Sequence, residues 1–245
     1  LDRGRLGGGA APGVRSRAEL SIDARGRLAR VVSAPPVTFR AASDAVYLVG
    51  TAAGPLGEDD ISVTVDVAAG GVLRLRSAAA TIVYSGRGSR QTFMVTVGRG
   101  ATLDWHPEPV IATAGCHHVQ VARVDLDEEA DLDWTEEVVL GRHGEAPGAI
   151  DLRLDVDRAG VPLLRHQVVV GAPGWDGPAV LGRHRSTGLR LRSGPGCPTP
   201  AVTVGEGWAW LALDAPGWLL VAVADDLPQL RSRMAAAAVI TPALT

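Results

Sequence analysis

Apolar and polar residues alternate with a period of two along most of this chain, the pattern of strands that bury one face. In 61–67, Ile61, Val63, Val65 and Val67 share a face; in 119–126, Ala122, Val124 and Leu126 oppose Val119, Val121, Arg123 and Asp125. Runs at 46–49, 72–76, 81–84, 91–97, 101–105, 134–140, 150–156 and 161–170 predict further strands, with turns at Gly70-Gly71 and 85–89. Segments 18–23 and 28–32 flank Arg25-Gly26 as a hairpin that Pro35-Pro36 ends, and 208–213 and 218–223 form another across 214–217. The stretches 51–57, 173–178 and 193–200 read as loops, and 179–186 as one or two helical turns weakened by Gly182. Beyond residue 225 the period becomes helical: Asp225 or Asp226 can cap, Pro228 sits in the first turn, and Leu227, Leu230, Met234 and Ala238 share a face.

The alternation is itself repeated. Leu103-Asp104-Trp105 returns as Leu132-Asp133-Trp134, 29 residues on (132 − 103), and Leu73-Arg74-Leu75 is a weaker copy 30 residues earlier (103 − 73). A fixed period of this size marks stacked supersecondary units. The expected fold is therefore all-β: a layered, β-helix-like stack of short strands with one or two helices, the last near the C-terminus. It would form a single domain over 18–245, behind a flexible, Gly- and Arg-rich tail at 1–17.

Composition agrees. Gly 30 and Pro 16 in 245 residues suit many strands joined by tight turns. The net charge of −3 lacks the basic footprint of a nucleic-acid binder. Charge is unevenly spread, however: 125–137 holds acids and no base, whereas 183–192 carries Arg183, His184, Arg185, Arg190 and Arg192. These are two solvated faces or two docking surfaces. Two cysteines make no disulfide framework. The longest apolar run, near 218–224, is far short of the ~20 residues that span a bilayer, and no secretory signal is evident. A soluble, cytoplasmic protein is expected.

Two groups of side chains carry possible metal chemistry. Cys116, His117 and His118 offer a thiolate and imidazoles, which suit borderline ions such as nickel, zinc and copper. Strand alternation would let Cys116 and His118 share an ion while His117 faces away. With His106 and a Glu they would make an enzyme's metal site on a β-solenoid or cupin-like barrel; the plainer reading is a partly buried Cys beside surface histidines. The second group is Glu108, Glu136, Glu137 and Glu145. Under the 29-residue register Glu108 stacks near Glu137, forming a carboxylate column that needs a cation such as Arg142 within it; an exposed acidic ladder is the alternative. The loop Gly54, Gly57, Glu58, Asp59, Asp60 lacks the Lys of a phosphate loop, and its acids would repel phosphate. No Ser or Cys has an identifiable base, so no catalytic residue is assigned.

Four segments, in order, resemble the UreD (UreH) family of urease accessory proteins. Gly50-Thr51-Ala52-Ala53-Gly54-Pro55-Leu56-Gly57-Glu58-Asp59-Asp60 resembles its TAGG-x-x-GGD segment, and 75–81 its T-x-QAAT strand, with Ala78 where the family has Gln. Trp105-His106-Pro107-Glu108-Pro109 resembles W-x-P-Q/E-x, and Trp134 to Glu137 with Leu140-Gly141-Arg142 and Gly144-Glu145 resembles W-x-E…LGR…GE. The resemblance runs from about residue 18 to 233 and is weakest in the last third. It implies a β-helix-like scaffold that binds apo-urease and UreF, and through UreF the GTPase UreG, with a possible homodimer inside the accessory complex. It implies no catalysis, no nucleic acid and no membrane. Nickel would be cargo in transit through a polar interior, with Glu108, Glu136, Glu137, Arg142 and Glu145 as the candidate route. Cys116, His117 and His118 lie outside the matching segments and stand as second choice. A conduit needs weak, multiple sites, which separate carboxylates supply better than a closed thiolate cage.

Overall fold

A computed structural model of the chain describes residues 13–239. Among these residues are eighteen strands and one helix, arranged as two sheets around a shared apolar core. The first sheet has a parallel centre of β1 (Arg15–Ile22), β5 (Asp60–Val67), β8 (Ser89–Val97), β11 (His117–Leu126) and β13 (Ala149–Arg158). Antiparallel β2 (Leu28–Val32) and β14 (Val161–Val170) edge it. The second sheet sets β4 (Val46–Gly50), β6 (Val72–Ser77), β9 (Thr102–His106) and β12 (Asp131–Leu140) in parallel, with β3 (Val37–Ala41) antiparallel at one edge. Beyond β12 it continues antiparallel through β15 (Ser186–Ser193), β18 (Gly217–Ala224), β17 (Trp208–Ala212) and β16 (Thr203–Gly205). Short β7 (Thr81–Val83) and β10 (Val110–Ala112) pair beside β12.

The chain alternates between the sheets, β5 to β6, β8 to β9, β11 to β12, and each pass stacks on the one before. The repeat seen in the sequence is the strand register: Leu73, Leu103 and Leu132 are in line, as are Leu75, Trp105 and Trp134. The corners stack too. Ala68 N–H donates to Ile22 O at 3.0 Å, Gly98 to Val67 O at 2.9 Å, Asp127 to Val97 O at 2.9 Å and Ala159 to Leu126 O at 2.8 Å. Gly98 is required for this: a Cβ there would lie 2.8 Å from Ala69 N. Because both sheets turn one face inward, alternate residues of every central strand are buried, and each Val or Leu so placed contributes about 1.5–3 kcal/mol.

The helix α1 (Leu227–Val239) lies over the outer face of β15 and β18, where Leu230 and Met234 are buried. Gly188 lets it come close, since a Cβ there would lie 2.9 Å from Met234 Sδ. Asp226 is the cap: its Oδ1 accepts the Gln229 N–H at 2.8 Å, while Gln229 Oε1 accepts the Asp225 N–H at 2.9 Å. Asp226→Ala is expected to cost about 1 kcal/mol. Hydrogen exchange checks it, through faster exchange of the Gln229 amide; unchanged protection there would discount the cap.

Several expectations shift. Residues 179–183 form turns and no helix, and Ser186 already opens β15. Arg15, Ser16 and Arg17 belong to β1 rather than to a tail. Residues 1–12 of that tail lie outside the described residues, as does the side chain of Ala238. No helix among the described residues is long and apolar enough to cross a membrane.

Candidate functional site

The parity of β12 decides which of its acids face the interior. Side chains alternate along a strand, so Leu132, Trp134, Glu136 and Val138 point one way, and Thr135 and Glu137 the other. Trp134 packs on Trp105 at 5.7 Å, and Trp105 on Phe93 of β8 at 5.8 Å, a stack between the sheets. Glu136 is the next inward residue. Its Oε1 accepts the Trp134 Nε1 hydrogen at 3.1 Å, and the residue is 8% exposed. Burial pushes its carboxyl up to about 7, against the Trp134 bond, which favours the charged form. Across from it, Gln91 of β8 and Gln120 of β11 pair in register and are both buried.

Hollow spaces adjoin these groups. One of about 270 Å³ opens beside the loop 50–55 and is walled by Ile61, Ser77, Thr81 and Gln91, among others. A narrow one of about 30 Å³ shares Ser77, Thr81 and Gln91 with it and adds Gln120, Glu108, Glu136 and Glu137. A second of about 30 Å³ shares Glu136 and Val138 with that one and adds His166 and Thr187. The last, about 280 Å³, shares His166, Val168, Thr187 and Val221 and opens beside Trp208. Successive hollows thus share walls between the sheets, and Glu136 lines both narrow ones, each with room for about one or two waters.

Glu108 and Glu137 also wall the narrow hollow, whereas Arg142 and Glu145 lie elsewhere. On the opposite face of β12, Arg231 of α1 donates to Glu137 Oε2 at 2.7 Å and to Glu108 Oε2 at 3.1 Å. Glu108 and Glu137 do approach each other, but Arg231 is the cation between them, not Arg142. Arg142 pairs with Glu145 at 3.0 Å in the turn after β12 and holds that carboxyl down to about 2. Neither is a wall residue of the hollows.

The thiolate–imidazole set is not assembled. Cys116 is buried in an apolar cluster with Val83, Ala112, Leu140 and Ile150. Burial raises its thiol above the ordinary value, and the charge of Glu145 adds to this. His118 points inward, with Nδ1 2.8 Å from Ser89 Oγ, and burial lowers its imidazole to about 4. His117 is exposed, with Nδ1 3.4 Å from Gly86 O. His106 lies in the second sheet with Nε2 3.2 Å from Asp104 and 3.0 Å from Asp133. Asp133 also binds Arg190 and Arg192, at 2.7 and 3.0 Å. Burial opposes its charge, but Arg190 and His106 outweigh that and hold its carboxyl well below the usual range. The proposed enzyme ligands His106, Cys116, His118 and a Glu are thus dispersed, and among the described residues no three His, Cys, Asp or Glu side chains group to hold a metal.

The loop of Gly54, Gly57, Glu58, Asp59 and Asp60 is held by its own Asp59, which is 4% exposed. The Asp59 carboxylate accepts the Val14 N–H at 2.8 Å and the Leu56 N–H at 3.0 Å. Gly57 takes φ 59, and Asp60 starts β5. Glu58 is exposed, 3.9 Å from Arg87. The loop frames the mouth of the first hollow through Gly54 and Pro55.

Sequence reasoning missed Gln91, Gln120, His166 and Arg231. Gln91 and Gln120 are 29 residues apart (120 − 91), so the same period that aligned the tryptophans marks them as a pair. His166 shares the parity of Val168 and Val170 on β14, a signal present but unused.

The sequence matches the family described as UreD urease accessory protein over residues 16–245. It is 41% identical to urease accessory protein UreD of Frankia alni over 216 residues, covering 79% of this chain and 72% of that protein. It is 40% identical to urease accessory protein UreD 3 of Streptomyces griseus over 206 residues, 80% of each. With urease accessory protein UreD of a Parafrankia species the identity is 36% over 257 residues, covering 90% and 86%.

Proposed function

The chain belongs to the UreD family of urease accessory proteins, and from that premise we propose that it is a non-catalytic maturation scaffold passing nickel to apo-urease through its interior. It works in the cytoplasm, docked to apo-urease and to UreF, and through UreF to the GTPase UreG, with a homodimer within the accessory complex. Nickel is cargo and not a resident cofactor.

The observation that carries this reading is the succession of wall-sharing hollows between the sheets, with Glu136 lining both narrow ones. A conduit must bind well enough to admit an ion and weakly enough to release it. The walls fit that demand. Gln91 and Gln120 offer amide oxygens, and Glu136 offers one carboxylate that, among the described residues, carries no counter-cation. A thiolate cage would retain a borderline ion such as nickel, and the one inward thiol, Cys116, is packed among aliphatic side chains instead. Glu137, held by Arg231, serves to fasten α1.

Glu136→Gln keeps the shape and removes the charge. The variant is expected to bind apo-urease and UreF as the natural chain does, and to lower the nickel content of urease severalfold when nickel is limiting. Full loading by this variant at limiting nickel would remove the interior route.

A further inference from the structure

The hollow beyond Glu136 carries a more specific assignment, which rests on the nickel-conducting reading above. Its walls come from both sheets: Glu136 from β12 and Thr187 from β15 on one side, Leu152 from β13 and His166 from β14 on the other. Register fixes this arrangement. Glu136 pairs across β12 and β15 with Leu189, and His166 pairs across β13 and β14 with the fully buried Leu154, so both turn toward the space between the sheets. Packed sheets lie about 10 Å apart, and both side chains wall the same small hollow of about 30 Å³. We propose that Glu136 and His166 form a carboxylate–imidazole station that holds a divalent, nickel-like cation midway along the passage.

The chemistry of the two groups supports it. A carboxylate with an imidazole is a donor pair that borderline divalent ions accept. The rest of the hollow is mostly aliphatic, with Val138, Val168 and Val221 among its walls, so these two side chains dominate what an ion meets there. His166 is half-buried on the parity of Val168 and Val170, so its ring lines the hollow, and a neutral imidazole offers a lone pair to a borderline ion. Among the described residues Glu136 joins no ion pair, and its Oε1 is held by the Trp134 indole N–H, so the carboxylate is available to an arriving ion. Two protein ligands leave the remaining positions to water, and a site with so few fixed ligands releases its ion readily. His166 thereby becomes a specificity-determining residue: it favours nickel over magnesium or calcium, which prefer oxygen alone.

Histidine-selective NMR of the purified chain, titrated with nickel ion alone, tests this. Of the six histidines, His166 is expected to broaden in proportion to occupancy, and Glu136→Gln to require about tenfold more nickel for the same effect. His166→Gln is expected to weaken nickel binding comparably, while His117→Gln, at an exposed position, leaves it unchanged. Magnesium, which is diamagnetic, is expected to leave the His166 chemical shift unmoved. A His166 signal that stays sharp with nickel, or broadens equally in the Glu136→Gln chain, overturns the station. Glu136→Gln preserves the shape of its side chain, so the test stands even where His166→Gln folds poorly. Failure of the station and of the conduit are separable. If Glu136→Gln depresses urease loading while His166→Gln alters neither nickel binding nor loading, the conduit stands and the station is wrong. If His166 broadens in a Glu136-dependent way but neither change affects loading, the station stands and the conduit falls.

Discussion

Trp134→Ala is expected to destabilise the protein by about 3–5 kcal/mol, the range for removing a large aromatic side chain from a packed core. Trp134 is 2% exposed and closes the stack that begins at Phe93 and passes through Trp105. Removing it opens a void between the sheets at the place where two successive passes of the chain meet in register. It also takes away the indole N–H on which Glu136 rests. Denaturant unfolding checks this, with a lower midpoint and an unchanged slope. A loss below about 1 kcal/mol, typical of surface positions, would mean that the stacked tryptophans are not the centre of the fold.

Glu136→Gln is expected to stabilise the protein at pH 8 and not at pH 4.5. The folded carboxyl is raised to about 7 from an ordinary value of 4.5, because burial disfavours its charge. Below 4.5 the group is protonated in both the folded and the unfolded chain, and it makes no difference to stability. As pH rises from 4.5, the unfolded chain releases the proton while the folded one retains it, so the folded state loses ground until about pH 7, and the penalty is then constant. One pKa unit corresponds to about 1.4 kcal/mol, so the full penalty is on the order of 3 kcal/mol. Glutamine carries no such penalty. The difference in unfolding free energy between Glu136→Gln and the natural chain should therefore widen between pH 4.5 and pH 8. A difference that is flat across this range would mean that Glu136 is solvated or already neutralised. A carboxylate kept at such a cost, with no cation beside it among the described residues, is better explained by what it meets in function than by what it contributes to the fold.

The layered architecture was legible because the same positions recur. Leu103 and Leu132, or Trp105 and Trp134, are neighbours in sequence period before they are neighbours in space. The same arithmetic placed Glu108 near Glu137. It could not reveal that the two acids converge on Arg231, which comes from a helix 94 residues beyond Glu137. Nor could a repeat that spans the parallel passes anticipate β15, whose partners β12 and β18 are both antiparallel to it. Leu189 and Leu191 alternate there with Arg190 and Arg192, but the arginines drew the reading toward a charged face, whereas Arg190 is bound to Asp133. Parity was the decisive and neglected signal at the site. Glu136 and Glu137 are adjacent in sequence, so they had to part: Glu136 points between the sheets and lines both narrow hollows, while Glu137 is held by Arg231 of α1. The same rule separates His117 from His118. Cys116 was misleading because a thiol beside two imidazoles resembles a ligand set, while its surroundings in space are aliphatic.

Diffraction at the nickel absorption edge, from crystals of the chain with its urease and UreF partners soaked in nickel, locates the ion itself. An anomalous peak between the two sheets, against Glu136, is the predicted result. Peaks confined to the outer surface or to Cys116, with the hollows between the sheets empty of nickel at every concentration that loads urease, would contradict passage through the interior.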